Sequence, residues 1–223
     1  MQLPIGLFGV AIGTVTLPEV SRQAARGELD GLRRTLASAL TLLATLCIPA
    51  AMGLHVLRVS VIGLLYEHGR FHSSDTLAAA TALSGYAVGL AAYAGIKVLL
   101  PAFYALNDAR TPALISLASI VTNYLVNWTL IRGFGFGHTG LALSTSAVAT
   151  LNFVLLYGLL RRRIGPLGGA LGTMLLRIGV AVAAMGLCGT LVDGRLAEAL
   201  GPHGTLSYAV RLFVGGGLGA FVF

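Results

Sequence analysis

Apolar runs long enough to cross a bilayer recur through this chain, each parted from the next by a short polar turn. A helix needs roughly 20 apolar residues to span a bilayer's hydrocarbon. Runs of that order occupy 3 to 20, 35 to 65, 76 to 106, 113 to 131, 141 to 160 and 171 to 192. Another begins near Tyr208 and is still apolar at Phe223. At that depth there is no water to satisfy backbone N–H and C=O groups, so each run must bond within itself as a helix. Charge agrees with this: only 10% of the 223 residues are Asp, Glu, Lys or Arg, against about 25% in a soluble domain. So few charges cannot cover a water-facing surface. The expected fold is an all-α polytopic membrane helix bundle of about seven transmembrane segments.

The net charge of +7 sits mostly at segment ends. That is the pattern of membrane topology, in which Lys and Arg gather on the cytoplasmic side, and it needs no nucleic-acid partner. One set of alternate connections (21–34, 107–112 and 161–177) holds Arg22, Arg26, Arg33, Arg34, Arg110, Arg161, Arg162, Arg163 and Arg177. The other set (66–75, 132–140 and 193–207) holds Arg70, Arg132 and Arg195. The first set is expected to be cytoplasmic. Cys47 and Cys188 both lie in apolar runs, which suggests neither a disulfide framework nor a metal site. The first run starts against Met1 with no polar flank and the last is apolar to its end, so the chain is expected to be a piece of a longer protein.

Polar side chains inside the apolar runs are the candidates for function, because burying them in lipid is costly. Lys97 lies about ten residues, roughly 15 Å by helix rise, from the polar turn Asn107-Asp108-Ala109-Arg110. Two readings stay open: a cation waiting for an anionic ligand, or a structural partner or snorkelling side chain. Asn123 and Asn127, four apart, share a helix face. They either contact substrate or a cation, or act as interhelical hydrogen-bond glue worth about 0.6 kcal/mol each. Thr145 and Ser146 on the next segment are the candidates to meet them. Glu19 reads as an interfacial charge, Arg58 as a snorkelling side chain, and Glu67, His68 and Arg70 as a solvated turn. Residues 21–34 read as a loop or short interfacial helix, 193–207 as a polar loop, and Pro49 and Pro101 as bends. Gly9 and Gly13 put small residues on one face, which permits close helix packing. Pro112 is expected near a helix start.

Four stretches in this order and spacing carry a resemblance: LPIGLFGVAIGTVTLPEVSR, YEHGRF, KVLLPAFYALNDARTP and GLALSTSAVATLNFVLLYGLLRRR. They resemble the bacterial lipid II flippases, the MurJ/MviN family of the multidrug/oligosaccharidyl-lipid/polysaccharide exporter superfamily. The resemblance implies helices eight to fourteen of a fourteen-helix transporter. Residues 1–163 would then belong to the C-terminal six-helix lobe, with its first helix truncated, and 164–223 would be two additional helices. It implies a multi-pass protein of the bacterial inner membrane that works in peptidoglycan biosynthesis with a missing N-terminal lobe. It also implies passage of lipid II from the cytoplasmic to the periplasmic leaflet by alternating access. A pyrophosphate-bearing cargo makes Lys97 a candidate substrate-binding residue, with Arg110 meeting the headgroup at the cytoplasmic mouth or simply obeying the positive-inside rule. Asn123 and Asn127 are further candidates for substrate, and with Thr145 and Ser146 for a coupling ion.

No cofactor is expected: there is no Walker motif and no metal-spaced pair of histidines. Energy would come from an ion gradient or the membrane potential. The nearest rival is an exporter of another polyprenyl-linked saccharide or of drugs. A membrane-embedded enzyme such as a prenyl-phosphate transferase would need acidic clusters for Mg²⁺, and Glu28, Asp30 and Asp108 form no such pattern.

Overall fold

Among the described residues the apolar runs fold as helix and there is no strand. The computed structural model describes residues 5–129, 132, 138–167, 170–201 and 204–222. The first four residues, most of the glycine-rich turn at 132–140, and His203 lie outside them. Among these described residues nine α-helices follow in order. They are α1 (Ala11–Ala25), entered through a π-helical turn at Ile5–Val10, α2 (Leu29–Val56), α3 (Arg58–Tyr66) and α4 (Ser73–Val88), then α5 (Leu90–Ala105), α6 (Arg110–Trp128), α7 (His138–Ile164), α8 (Ala170–Leu200) and α9 (Thr205–Val222).

Stretches 29–56, 140–164 and 172–200 are each long and apolar enough to cross a membrane. The pair α4 and α5, bent by 42°, makes a fourth span if counted as one broken helix. The bundle is therefore the expected membrane class, but several apolar runs form shorter or broken helices.

The departures have local causes. The stretch 21–34, expected as a loop or short interfacial helix, is instead the end of α1 and the start of α2 joined by a tight turn. Gly27 takes φ 71°, and Glu28 N–H reaches back to the Gln23 carbonyl at 2.9 Å, the closing bond of a Schellman cap. The run 35–65 divides at Leu57, where Arg58 Nη1 donates to the His55 carbonyl at 2.6 Å. Arg58 therefore ties up a carbonyl at the helix break in addition to reaching along the helix. The run 76–106 divides at Gly89. The expected polar loop at 193–207 is helical to Leu200, which carries Asp193, Arg195 and Glu198 into α8. Pro49 and Pro101 lie inside α2 and α5 without ending either helix. Pro112 falls in the first turn of α6, where its missing N–H costs nothing.

The core lies between α1, α2, α5 and α7. Leu32, Leu36, Val98, Leu99, Phe103, Leu156 and Leu160 are buried there. Small residues bring α1 and α5 together as the Gly9/Gly13 spacing predicts. A methyl at Gly13 would stand 2.8 Å from the Lys97 carbonyl oxygen, so only glycine permits the approach.

Long-range polar contacts sort the helix ends into two groups. At one end Arg33 Nε donates to the Ile164 carbonyl, and Arg163 pairs with Asp108 at 2.8 Å. These contacts join the connections after α1, α5 and α7. At the opposite end Glu67 Oε2 accepts hydroxyl protons from Thr76 (2.7 Å) and Tyr208 (3.0 Å). Among the described residues, the connections after α1, α5 and α7 thus meet at one end of the bundle, and the turn after α3 meets the start of α9 at the other.

Candidate functional site

Lys97 stands where two packing demands leave one face of α5 open. Ala94, Val98, Leu99, Ala102 and Phe103 turn inward and are buried, while Lys97 and Tyr104 are exposed. Its backbone is clamped against Gly13, but its ammonium forms no ion pair or hydrogen bond among the described residues. A cation in an apolar helix without an anion of its own is available to a ligand.

Half a helix length further on, the turn that follows α5 is built rigidly. Asn107 adopts φ 56°, and its N–H bonds to the Tyr104 carbonyl at 3.0 Å while Asp108 N–H bonds to the Phe103 carbonyl at 2.9 Å. This is the same cap seen at Gly27, with asparagine in the left-handed position it tolerates better than most residues. Asp108 Oδ1 then accepts the Thr111 N–H at 3.0 Å and so caps α6. Hydrogen bonds from Thr111, with the Arg163 guanidinium nearby, hold the Asp108 carboxyl below its ordinary value. Asp108 is therefore committed to structure. Arg110, two residues on, is exposed.

The two asparagines meet as their spacing predicts. Asn127 Nδ2 donates to Asn123 Oδ1 at 2.8 Å. Their partner on α7 is not the expected one: Ser144 Oγ donates to Asn127 Oδ1. Thr145 and Ser146 point elsewhere because each successive residue turns about 100° around a helix. Thr145 bonds the Leu141 carbonyl of its own helix at 2.6 Å. Ser146 is buried against α4, where its hydroxyl donates to the Gly85 carbonyl at 2.7 Å. That carbonyl lies four residues before the break at Gly89, whose N–H turns instead to Tyr86. Ser146 thus supplies a donor that the broken helix lacks.

Asn123 also lines a groove of about 260 Å³ with Tyr93, Ser119 and Asn152. The Asn152 Oδ1 there is buried without a hydrogen-bond partner. Ser119, Asn123 and Asn127 recur every four residues, so this stripe was readable in the sequence. Asn152 and Ser144 face it only because of the rotation of α7.

Two further clusters were not readable from sequence. Glu67, expected in a solvated turn, is half-buried and bonded to Thr76 and Tyr208, although His68 and Arg70 are exposed. Asp193 and Arg211 form a bidentate pair, Nε–Oδ1 2.7 Å and Nη2–Oδ2 2.6 Å, with the arginine side chain only 7% exposed. Both join residues far apart in the chain. Glu19, read as an interfacial charge, pairs with Arg22 and accepts from Gln23 at the end of α1. No group of three or more His, Cys, Asp or Glu side chains is placed to hold a metal among the described residues.

The chain resembles known proteins along most of its length. The family described as lipid II flippase MurJ matches residues 1–211. A probable lipid II flippase MurJ of Vibrio cholerae serotype O1 is 38% identical over 157 residues, which cover 70% of this chain and 30% of that protein. The lipid II flippase MurJ of Burkholderia cenocepacia is 32% identical over 189 residues, covering 84% of this chain and 36% of that protein. Among solved structures, a lipid II flippase MurJ in an inward closed conformation superposes with a TM-score of 0.77 at 24% identity, over 99% of this chain and 43% of that one. The fold is shared, and the chain spans about a third of the length of these curated relatives.

Proposed function

The chain belongs to the lipid II flippase MurJ family, and from that premise we propose that it is part of a transporter that moves lipid II from the cytoplasmic to the periplasmic leaflet by alternating access. It is a multi-pass protein of the bacterial inner membrane. In this reading it changes no covalent bond and needs no cofactor. An ion gradient or the membrane potential drives it, and the remaining part of the longer transporter completes the path.

Beyond family membership, the observation that supports this reading is Lys97: an exposed cation on an apolar helix, with no carboxylate partner among the described residues. A pyrophosphate crossing a low-dielectric region needs fixed positive partners in place of water. Lys97 meets that anion within the membrane, and Arg110, exposed at the arginine-rich end, meets it at the mouth. Asn123 and Asn127 contribute amide oxygens to substrate or to a coupling ion, with the Ser144 hydroxyl beside them. Thr145 and Ser146 donate to backbone carbonyls, which makes them the weaker candidates for that ion.

The test is depletion of the longer protein in cells, followed by measurement of lipid-linked precursor in each leaflet. Accumulation in the inner leaflet supports the reading. Normal transit of the precursor overturns it, and transit that is normal while another polyprenyl-linked saccharide accumulates transfers the role to a related exporter.

A further inference from the structure

The α8–α9 hairpin is attached very unequally at its two ends. Near Glu67 it is fastened by chemistry and by contact. Tyr208 reaches Glu67, its ring lies so close that a methyl at Gly63 would stand 2.5 Å from it, and the buried Asp193–Arg211 pair locks α8 to α9. The second half of α8 also packs tightly on α2. Methyls at Gly186 and Gly189 would stand 2.9 Å from the Met52 sulfur and 3.2 Å from Val56 Cγ1.

Toward the Ile164 end the contact narrows to one side of α8: Ile178 and Val182 stay buried, while Gly172, Leu175 and Gly179 are exposed. Methyls at Gly172 and Gly179 would meet nothing within 4 Å. Met174, Leu175 and Ile178 instead border an apolar cavity of about 380 Å³, opposite Leu40, Phe153 and Tyr157. A second space of about 360 Å³, sharing Ile48, Val88 and Ala91 with the first, continues it along α8 to Val182. Both spaces are partly open at the surface of the bundle, so no close-packed interior fixes the spacing of α8 there. Ahead of α8, residues 165–167 are non-helical, with Gly165 at φ 89°.

We propose that the α8–α9 hairpin is a hinged flap, pinned at the Glu67 end by Tyr208 and the Asp193–Arg211 pair and free to swing at the Ile164 end, where its motion changes the width of the apolar cavity. The inference concerns the hairpin alone and holds whatever cargo the transporter carries. The polar pin is suited to the task, because buried directional bonds fix one distance and orientation. The apolar contacts at the other end are non-directional and can be remade at several spacings.

Distances between paired spin labels in the membrane-embedded chain test this, with exposed Cys188 replaced by alanine and Cys47 left in place because it is fully buried. One pair sits at Leu155→Cys and Leu176→Cys, the other at Leu77→Cys and Leu206→Cys, all exposed positions. The first pair is expected to give a distance distribution about two-fold wider than the second, or more. Tyr208→Phe, which keeps the ring against Gly63, and Asp193→Asn, which can still accept from Arg211, are each expected to widen the second distribution. Equal widths, or a wider second pair, overturn the flap. A second distribution that neither variant widens overturns the pin.

Discussion

Two basic side chains sit in apolar helices of this chain in opposite circumstances. Arg211 is 5% exposed and held by both oxygens of Asp193. Lys97 is exposed and forms no ion pair among the described residues. The sequences around them, TLSYAVRLFV and AGIKVLLP, give no hint of the difference, since both are single cations in apolar surroundings. What separates them is a carboxylate 18 residues away, brought into reach by the turn between α8 and α9. An arginine whose charge is already spent on a buried carboxylate is a fastening. A lysine with no anion is free to meet one.

Removing the fastening should do the most damage. Asp193→Ala leaves the Arg211 guanidinium buried and unpaired, at a cost of about 3–5 kcal/mol. Denaturation of the purified chain in detergent measures it, and a loss no bigger than that of an exposed substitution would remove the distinction between the two cations. Gly13→Ala comes next, at about 1–3 kcal/mol, because its methyl must displace the Lys97 carbonyl rather than a flexible side chain. That result would sharpen the contrast by showing Lys97 rigid at its backbone and free at its head. Asn127→Leu should cost only about 0.6 kcal/mol, the ordinary value of a membrane hydrogen bond. A much larger loss would mean that the Asn123–Asn127–Ser144 group is a fastening like Arg211.

Lys97→Ala should change stability by less than about 0.5 kcal/mol, yet the same substitution in the longer transporter should abolish lipid transport. Full complementation of growth by that variant would make Lys97 structural. The smallest effect concerns pH. The folded pKa of Asp108 is lowered from its ordinary 3.8. Its contribution to stability is therefore present above that value and disappears as the pH falls through the lower, folded one. Thermal scans should show the parent chain losing stability across that acid window and Asp108→Asn losing less. Identical profiles would show that the turn does not depend on the carboxylate.

Much of the architecture was readable beforehand because its causes are local. The close packing at Gly13 follows from small residues four apart, and the asparagine pair follows from helical periodicity. The position of Pro112 follows from its missing N–H. The breaks at Leu57 and Gly89 were not readable. Each lies within an unbroken apolar run, and the Gly89 break is supported by a hydroxyl on α7, Ser146, which donates to the Gly85 carbonyl 61 residues away. Glu67 misled for the same reason: in sequence it belongs to a polar turn, and only the return of α9 gives it Tyr208.

The sequence by itself determined that this is an all-α membrane bundle, which connections share an end, and which family it resembles. Those properties rest on composition, on 3.6-residue periodicity and on the cost of unbonded backbone in lipid, and a single segment expresses all three. Only the tertiary structure decided that Ser144 rather than Thr145 or Ser146 meets Asn127, that Arg211 is paired while Lys97 has no partner among the described residues, and that α8 is packed tightly along one half and bordered by an open groove along the other. These depend on how each helix is rotated and seated against its neighbours. A turn of 100° per residue moves a hydroxyl from one partner to another, and the helix's own sequence does not fix that angle.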